Sequence, residues 1–352
     1  MKRFLFSAAL GLAVAAGATA AAAQETLKVG GLGPISGGGT AWGLAAQRGI
    51  EMGTETVNAA GGVKAGGKTY KLEMVFYDDL YSAQGGKAAA ERLVNQDKVK
   101  YVIGPVGSPP ALATISVTNP AKVIAMTNGY APGILKNDTP DPYNFRIYNT
   151  NLEFGPPIIS FIKEKFPEIK KIAILAPNDA VGQAVAKPLA ADYEKQGFTV
   201  VMDFFERGSK EFTPLILRMM AQKVDAFEFD GNAPGDAGLM LKQMRQAGFR
   251  GKAIQVGGPA IEEIMEIAGP AAEGFLSYDF FDWDSAAGQK LKVEYEKKYG
   301  KGIISPFMPA FYHAVLMLAE AIKRADSIET DKVRSEEHRV GKECRSRWSP
   351  YH

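Results

Sequence analysis

The 352-residue chain has one cysteine, three histidines and three tryptophans. Cys344, two of the histidines (His338 and His352) and Trp348 all fall in the final segment RSEEHRVGKECRSRWSPYH, from Arg334 to His352. Upstream of it there is no thiol, which excludes disulfides, thiolate catalysis and sulfur-ligated zinc. The single upstream histidine, His313, lies about 200° around a helix from Phe311 and reads as a surface or seam residue rather than a base. No GxSxG elbow, HExxH pair or GxxxxGK[ST] loop occurs. After the N-terminal leader no window approaches the ~20 apolar residues of a membrane span.

The two ends stand apart from the rest. MKR, the apolar FLFSAALGLAVAAGATA and the small-residue AAAQ form a signal peptide, with cleavage expected after Ala23. No cysteine follows to carry a lipid anchor, so the expected product is exported to the periplasm and soluble. The last segment, 334–352, resembles the translation of a sequencing adapter, and the natural chain is expected to stop near Val333. The alternative is a basic arm for an acidic partner. Setting aside two basic residues in the leader, and five basic and three acidic residues in the tail, leaves 34 basic groups against 36 acidic ones. That balance gives no reason to expect nucleic acid or a membrane surface as partner.

What remains, about 310 residues, exceeds one typical core and predicts two domains of roughly 150 residues. Short β-branched runs alternate with helical segments almost throughout, as in LKVGGL before AWGLAAQRGIEMGTETVNAA and KIAILAP before VGQAVAKPLAADYEKQG. Such alternation predicts an α/β chain with two doubly wound parallel-sheet lobes. Asn137, Asp138, Pro140, Asp141 and Pro142 break the pattern, after which FRIYN and later FLSYDFF (275–281) could cross between lobes. Lobe one is expected over 24–146 and 279–333, and lobe two over 147–278. The closing helices AAGQKLKVEYEKKYG and MPAFYHAVLMLAEAIKRA lack a following strand, which points to a truncated C-terminus.

The glycine-rich GGLGPISGGG (30–39) lacks the third glycine of a dinucleotide fingerprint, which would fall at Ser36, and Pro34 intrudes. It predicts a ligand-facing loop whose helix starts at Thr40, and no cofactor. Asp78 and Asp79 predict a strand-end or turn role, since neighbours on a strand point to opposite faces. Ligands of open α/β sheets sit beyond the strands' carboxyl ends. Here those ends are GPISGGGTAW, GPVGSPPA, AMTNGYAP, APNDAVG, DGNAPGD and QVGGPA, a set suited to closing on a small molecule.

Several stretches, in order, resemble the periplasmic solute-binding proteins of ABC transporters of the leucine/isoleucine/valine-binding type: GPISG (33–37), RGIEMGTETVNAAGGV (48–63), YDDLYSA (77–83), KVKYVIGP (98–105), KKIAILAPNDAVGQ (170–183), LKQMRQAGF (241–249) and GPAAEG (269–274). The resemblance implies a type I periplasmic-binding fold with hinge crossovers. It also implies a small amino acid, carboxylate or amide as ligand, a membrane permease as partner and a monomeric state. It places Ser108 where a serine at a helix start receives the ligand carboxylate, although Pro109 and Pro110 each remove an N–H. The reading from the residues alone is that Ser108 caps that helix. Asn128 and Tyr130 fall in the second carboxylate loop, Trp42 and Phe307 at the aromatic positions, and Val181, Asn232 and Ala233 where tyrosines are common. The acid that meets an amino group is replaced near Pro259, leaving Asp179, Asp230 or Asp236 to compensate. A sensor or regulator of the same fold is the alternative to transport, and an enzyme is the third possibility.

Overall fold

A computed structural model of the protein describes residues 24–129, 131, 134–135, 142–258, 261–279, 281–302 and 304–336. The expected leader, most of the expected seam and residues 337–352 lie outside them.

The first lobe is built on β1 (Gln24–Gly33), β2 (Val63–Ala65), β3 (Lys68–Asp78), β4 (Tyr101–Val106), β5 (Ile124–Asn128) and β6 (Asn144–Arg146), in the order β2-β3-β1-β4-β5-β6. Every described pairing is parallel except β2 with β3. That hairpin turns on Gly66 and Gly67, whose φ values of 57° and 74° suit glycine. Sequence reading misses it, because three residues are too few to show a period. The chain winds from β1 through α1 (Thr40–Ala59), then back through α2 (Ala83–Asn95) and α3 (Ser108–Thr118). Winding reverses between β1 and its neighbours β3 and β4, so the loops after these strands open onto one edge.

The second lobe repeats the plan with β7 (Lys171–Pro177), β8 (Thr199–Phe205), β9 (Ala226–Glu228), β10 (Lys252–Ile254) and β11 (Phe275–Leu276), in the order β11-β10-β9-β7-β8. Helices α4 (Asn151–Lys165) and α5 (Ala180–Lys195) enclose one core, with Ile159, Ile162, Ala186 and Leu189 buried against Ile172 and Ile174. On the opposite face α6 (Thr213–Met220), α7 (Pro234–Gln246) and α8 (Ile261–Ala268) bury Ile216, Met240, Met244 and Ile264. The methionines fill this core, as parallel sheets covered on both faces require.

The chain then returns to the first lobe through α9 (Ala286–Tyr299) and α10 (Phe307–Ala325). Phe311, Ala314, Val315, Leu318, Ala321 and Ile322 of α10 are all fully buried, on the face their spacing predicts. Beyond α10, Val333 is buried in the same core, the Tyr101 hydroxyl donates to Ile328 O at 2.8 Å, and a helical run covers 330–336. The passage after β6 and the passage after β11 both run between lobes. Among the described residues of the expected strand 275–281, only Phe275 and Leu276 join a ladder. Asp279 turns the chain away by accepting from the Phe281 N–H and the Trp283 indole at 2.9 Å each. Among the described residues no helix is long and apolar enough to cross a membrane.

Helices α1 and α10 approach through glycine. A Cβ on Gly49 would stand 2.5 Å from Met308 O and 2.8 Å from Phe311 Cβ, and one on Gly53 would stand 2.8 Å from Val315 Cβ. Gly49→Ala is therefore expected to lower the unfolding free energy by about 1–3 kcal/mol through overpacking, although alanine is the better helix former. Urea unfolding with an unchanged m value checks this, and a variant as stable as the parent would refute it.

Candidate ligand-binding cleft

The site begins with one carboxylate at the end of β3. Asp78 Oδ1 accepts from the N–H groups of Ile35 (3.1 Å) and Leu80 (2.9 Å), and Oδ2 accepts from the Ser36 hydroxyl (2.5 Å). It thereby joins the loop after β1 to the loop after β3. Next to it Asp79 is fully buried, and its Oδ1 accepts from Tyr81 N–H at 2.8 Å. Burial raises the Asp79 pKa to about 7. The two aspartates hold Leu80 and Tyr81 at φ 54° and 52°, a left-handed region that side chains with a Cβ seldom adopt. This strained turn delivers the Tyr81 ring to the cleft.

Around it the first lobe contributes Trp42, Val106, Gly107, Ser108 and Phe307. Trp42 sits on the first turn of α1, 5.5 Å from the Tyr81 ring and edge-on to Phe307 at 6.0 Å. Gly107, at φ 89°, makes room for Tyr81, since a Cβ there would lie 2.3 Å from the ring. Across the gap stand Gly182, Val185, Arg207, Gly231 and Gly258. These walls face one another across a narrow gap, part of it open to solvent.

The lobes touch across this space. A Cβ on Gly258 would come within 3.2 Å of the Trp42 ring, Ala41 N–H donates to Glu263 Oε2 at 3.2 Å, and the Arg207 guanidinium lies 5.5 Å from the centre of the Tyr81 ring. The cleft is closed.

Of the predicted ligand residues, Trp42, Ser108 and Phe307 come together here. Ser108 does not cap α3. The cap position is Gly107, and the Ser108 hydroxyl accepts from Ala131 N–H at 2.9 Å, tying two loops together. Asn128 lies behind them at 1% exposure. Its carbonyl accepts from Gly107 N–H, while its side-chain amide is buried without a hydrogen-bond partner. Val181 lies in the first turn of α5, beside the lining Gly182. Asn232 and Ala233 are buried one and two residues past the lining Gly231, outside the wall. The Asn232 amide donates to Leu175 O and Phe229 O, which fixes the ends of β7 and β9. Tyr130 and Pro259 lie outside the described residues. His313 is half-buried on α10, its Nδ1 2.8 Å from Pro309 O.

Sequence reading missed Tyr81 and Arg207. The DDxY that follows a strand was a signal for the first. Arg207, in a loop after β8, carried none. Its Nε donates to Asp179 Oδ2 at 2.8 Å. Burial works against the Arg207 charge, and Tyr81, Asp179 and Asp236 outweigh it. Asp179 also caps α5 by accepting from Gly182 N–H. Asp236 lies in the first turn of α7, where burial raises its pKa against the pull of Arg207 and Lys210.

The third candidate acid, Asp230, is 1% exposed and belongs to a different group. A Cβ on Gly257 would collide with its carboxylate, and neither of its oxygens forms a well-aligned hydrogen bond. Burial raises its pKa to about 7, with the Gly231 N–H opposing. Fully buried Glu228, two residues earlier, accepts from Asp230 N–H, Val256 N–H and the Tyr193 hydroxyl. Its pKa rises to about 8, through burial first and the nearby Asp230 second.

A family model for periplasmic binding proteins matches residues 26–341, and the chain belongs to that family. The leucine-, isoleucine-, valine-, threonine- and alanine-binding protein of Pseudomonas aeruginosa is 30% identical over 326 residues, covering 92% of this chain and 84% of that protein. A leucine-binding protein from Thermotoga maritima superposes with a TM-score of 0.78 at 24% identity, covering 88% of this chain and 87% of that one. A solute-binding protein from Rhodopseudomonas palustris in complex with benzoate superposes with a TM-score of 0.75 at 22% identity, over 90% of this chain and 85% of its own. The fold is the type I periplasmic-binding fold.

The pair Glu228 and Asp230 makes stability depend on pH with a definite sign. Both folded-state pKa values stand above the ordinary carboxylate range, so the stability of the neutral forms is complete below about pH 4 and is lost as pH rises through 7 to 8. Asp230→Asn, which cannot ionise, is expected to gain on the parent by on the order of 2 kcal/mol between pH 5 and pH 8.5. Parallel denaturation curves at the two pH values test this, and a constant difference would contradict it.

Proposed function

We propose that this protein is the periplasmic binding component of an ABC importer, a monomer that captures a small amino acid or a related carboxylate or amide between its lobes and delivers it to a membrane permease. Residues 1–23 serve as its export signal. Lobe one comprises 24–146 with 279–333, and lobe two comprises 147–278. The observation that carries the reading is the closed cleft, whose walls come from both lobes and meet over one small space at the carboxyl ends of both sheets. Trp42 is central, since it packs on Tyr81 and Phe307 within its own lobe and on Gly258 across the gap. Ligand and lobe closure are thus coupled through one ring. The amino-acid ligands in the name of the Pseudomonas relative support the chemical class.

Thermal unfolding against branched-chain amino acids, aromatic acids, aliphatic acids and amides tests the reading. Ligand at ~1,000 times its Kd stabilises by ~4 kcal/mol, which raises Tm by several degrees. One chemical class is expected to shift the transition, and Trp42→Ala is expected to abolish that shift. A transition indifferent to every class would refute capture.

A further inference from the structure

We propose that Arg207 is the receptor for the ligand's carboxylate, and that the ligand is a small apolar or aromatic monocarboxylate without an ammonium group. The inference rests on the solute-binding reading above and narrows its substrate class.

The first argument is the charge inventory. Among the described residues that line the cleft, Arg207 is the sole charged one; the rest are aromatic, aliphatic, glycine and Ser108. A carboxylate taken out of water needs a cation or several donors, and an ammonium needs an acid. None of the three candidate acids is among the described residues that line the cleft. Asp179 bonds Arg207 and caps α5, Asp236 shares the field of Arg207 and Lys210, and Asp230 is buried against Gly257.

The second argument is an unsatisfied donor. Arg207 Nη1 is buried and has no hydrogen-bond partner, although Nε is held by Asp179. A buried guanidinium N–H left unmade is costly, and a ligand oxygen would satisfy it with a charge-assisted bond. Asp179 is the N-cap of α5 and Asp236 lies in the first turn of α7, so the helix N-termini offset part of their charge. The guanidinium is therefore anchored on one side and available on the other.

The third argument comes from the opposite lobe, where anion binding at the start of α3 is weakened. Pro109 and Pro110 supply no N–H there. Carboxylate recognition thus falls to the second lobe, and the apolar body lies among Trp42, Tyr81 and Phe307. Because Arg207 also stacks over Tyr81, ligand binding and lobe contact share the same side chain.

Two matched pairs of probes test this by calorimetric titration of the purified protein. 4-Methylpentanoate is leucine without its amino group, and benzoate differs from benzamide by its charge. An acid of either pair is expected to bind at least ~30-fold more tightly than its L-leucine or benzamide partner. Arg207→Gln is expected to weaken that acid at least ~30-fold, and Arg207→Lys, which keeps the charge and loses the fork, by less. The probe comparison needs no variant, so it decides even if Arg207→Gln fails to fold. L-Leucine or benzamide binding as well as its acid partner would overturn the inference and leave solute binding standing, as would an acid that binds Arg207→Gln undiminished. Indifference to these probes and to every class in the wider panel would overturn both.

Discussion

The placing of Trp42 and Tyr81 in the first wall of the cleft depends on the Asp78 carboxylate at the end of β3. Three donors from two loops converge on it. One loop leads through a turn of 3₁₀ helix at Gly37–Gly39 into α1 and so sets Trp42, while the other leads through Asp79 into the strained turn that sets Tyr81. A topological switch point leaves a crevice between diverging loops. Here one acid bridges that divergence, so the two rings keep a fixed spacing. The left-handed backbone at Leu80 and Tyr81 is the strain that this arrangement holds.

The second wall follows another rule, in which polar groups are sorted by depth. At the surface of the wall Arg207, Asp179 and Asp236 form a balanced cluster at two helix N-termini. Behind it lie Glu228, Asp230, Asn232 and Gln255, all buried, with several oxygens lacking partners. Such a layer costs stability and is seldom kept without use. The Gln255 amide donates to Gly258 O, so this layer also holds the loop that presses on Trp42.

Much of the fold was legible in the sequence because long elements carry a period. The helix of GPISGGGTAW starts at Thr40 as its loop composition indicates, and the apolar face of α10 is the face its spacing selects. The three-residue β2 was beyond the reach of such patterns, being too short to repeat anything, while β11 is shorter than the segment expected over 275–281. The site was legible in part. Trp42, Ser108 and Phe307 could be carried over from a resemblance, because they sit at fixed offsets from recognisable motifs. Asn232 could not be assigned, because a buried amide that ties strand ends and an amide that meets ligand share one sequence context. Arg207 was invisible because its role arises from tertiary placement opposite Tyr81, across more than a hundred residues of chain.

The hydroxyls of Tyr148 and Tyr278 stand 3.3 Å apart, one on each passage between the lobes. Tyr278 also packs on Phe154 at the start of α4, and Tyr148 sits edge-on to Phe307 of the cleft wall. Two separate connectors would let one lobe tilt, slide and twist against the other. The hydroxyl contact instead ties the two passages to each other where they run between the lobes.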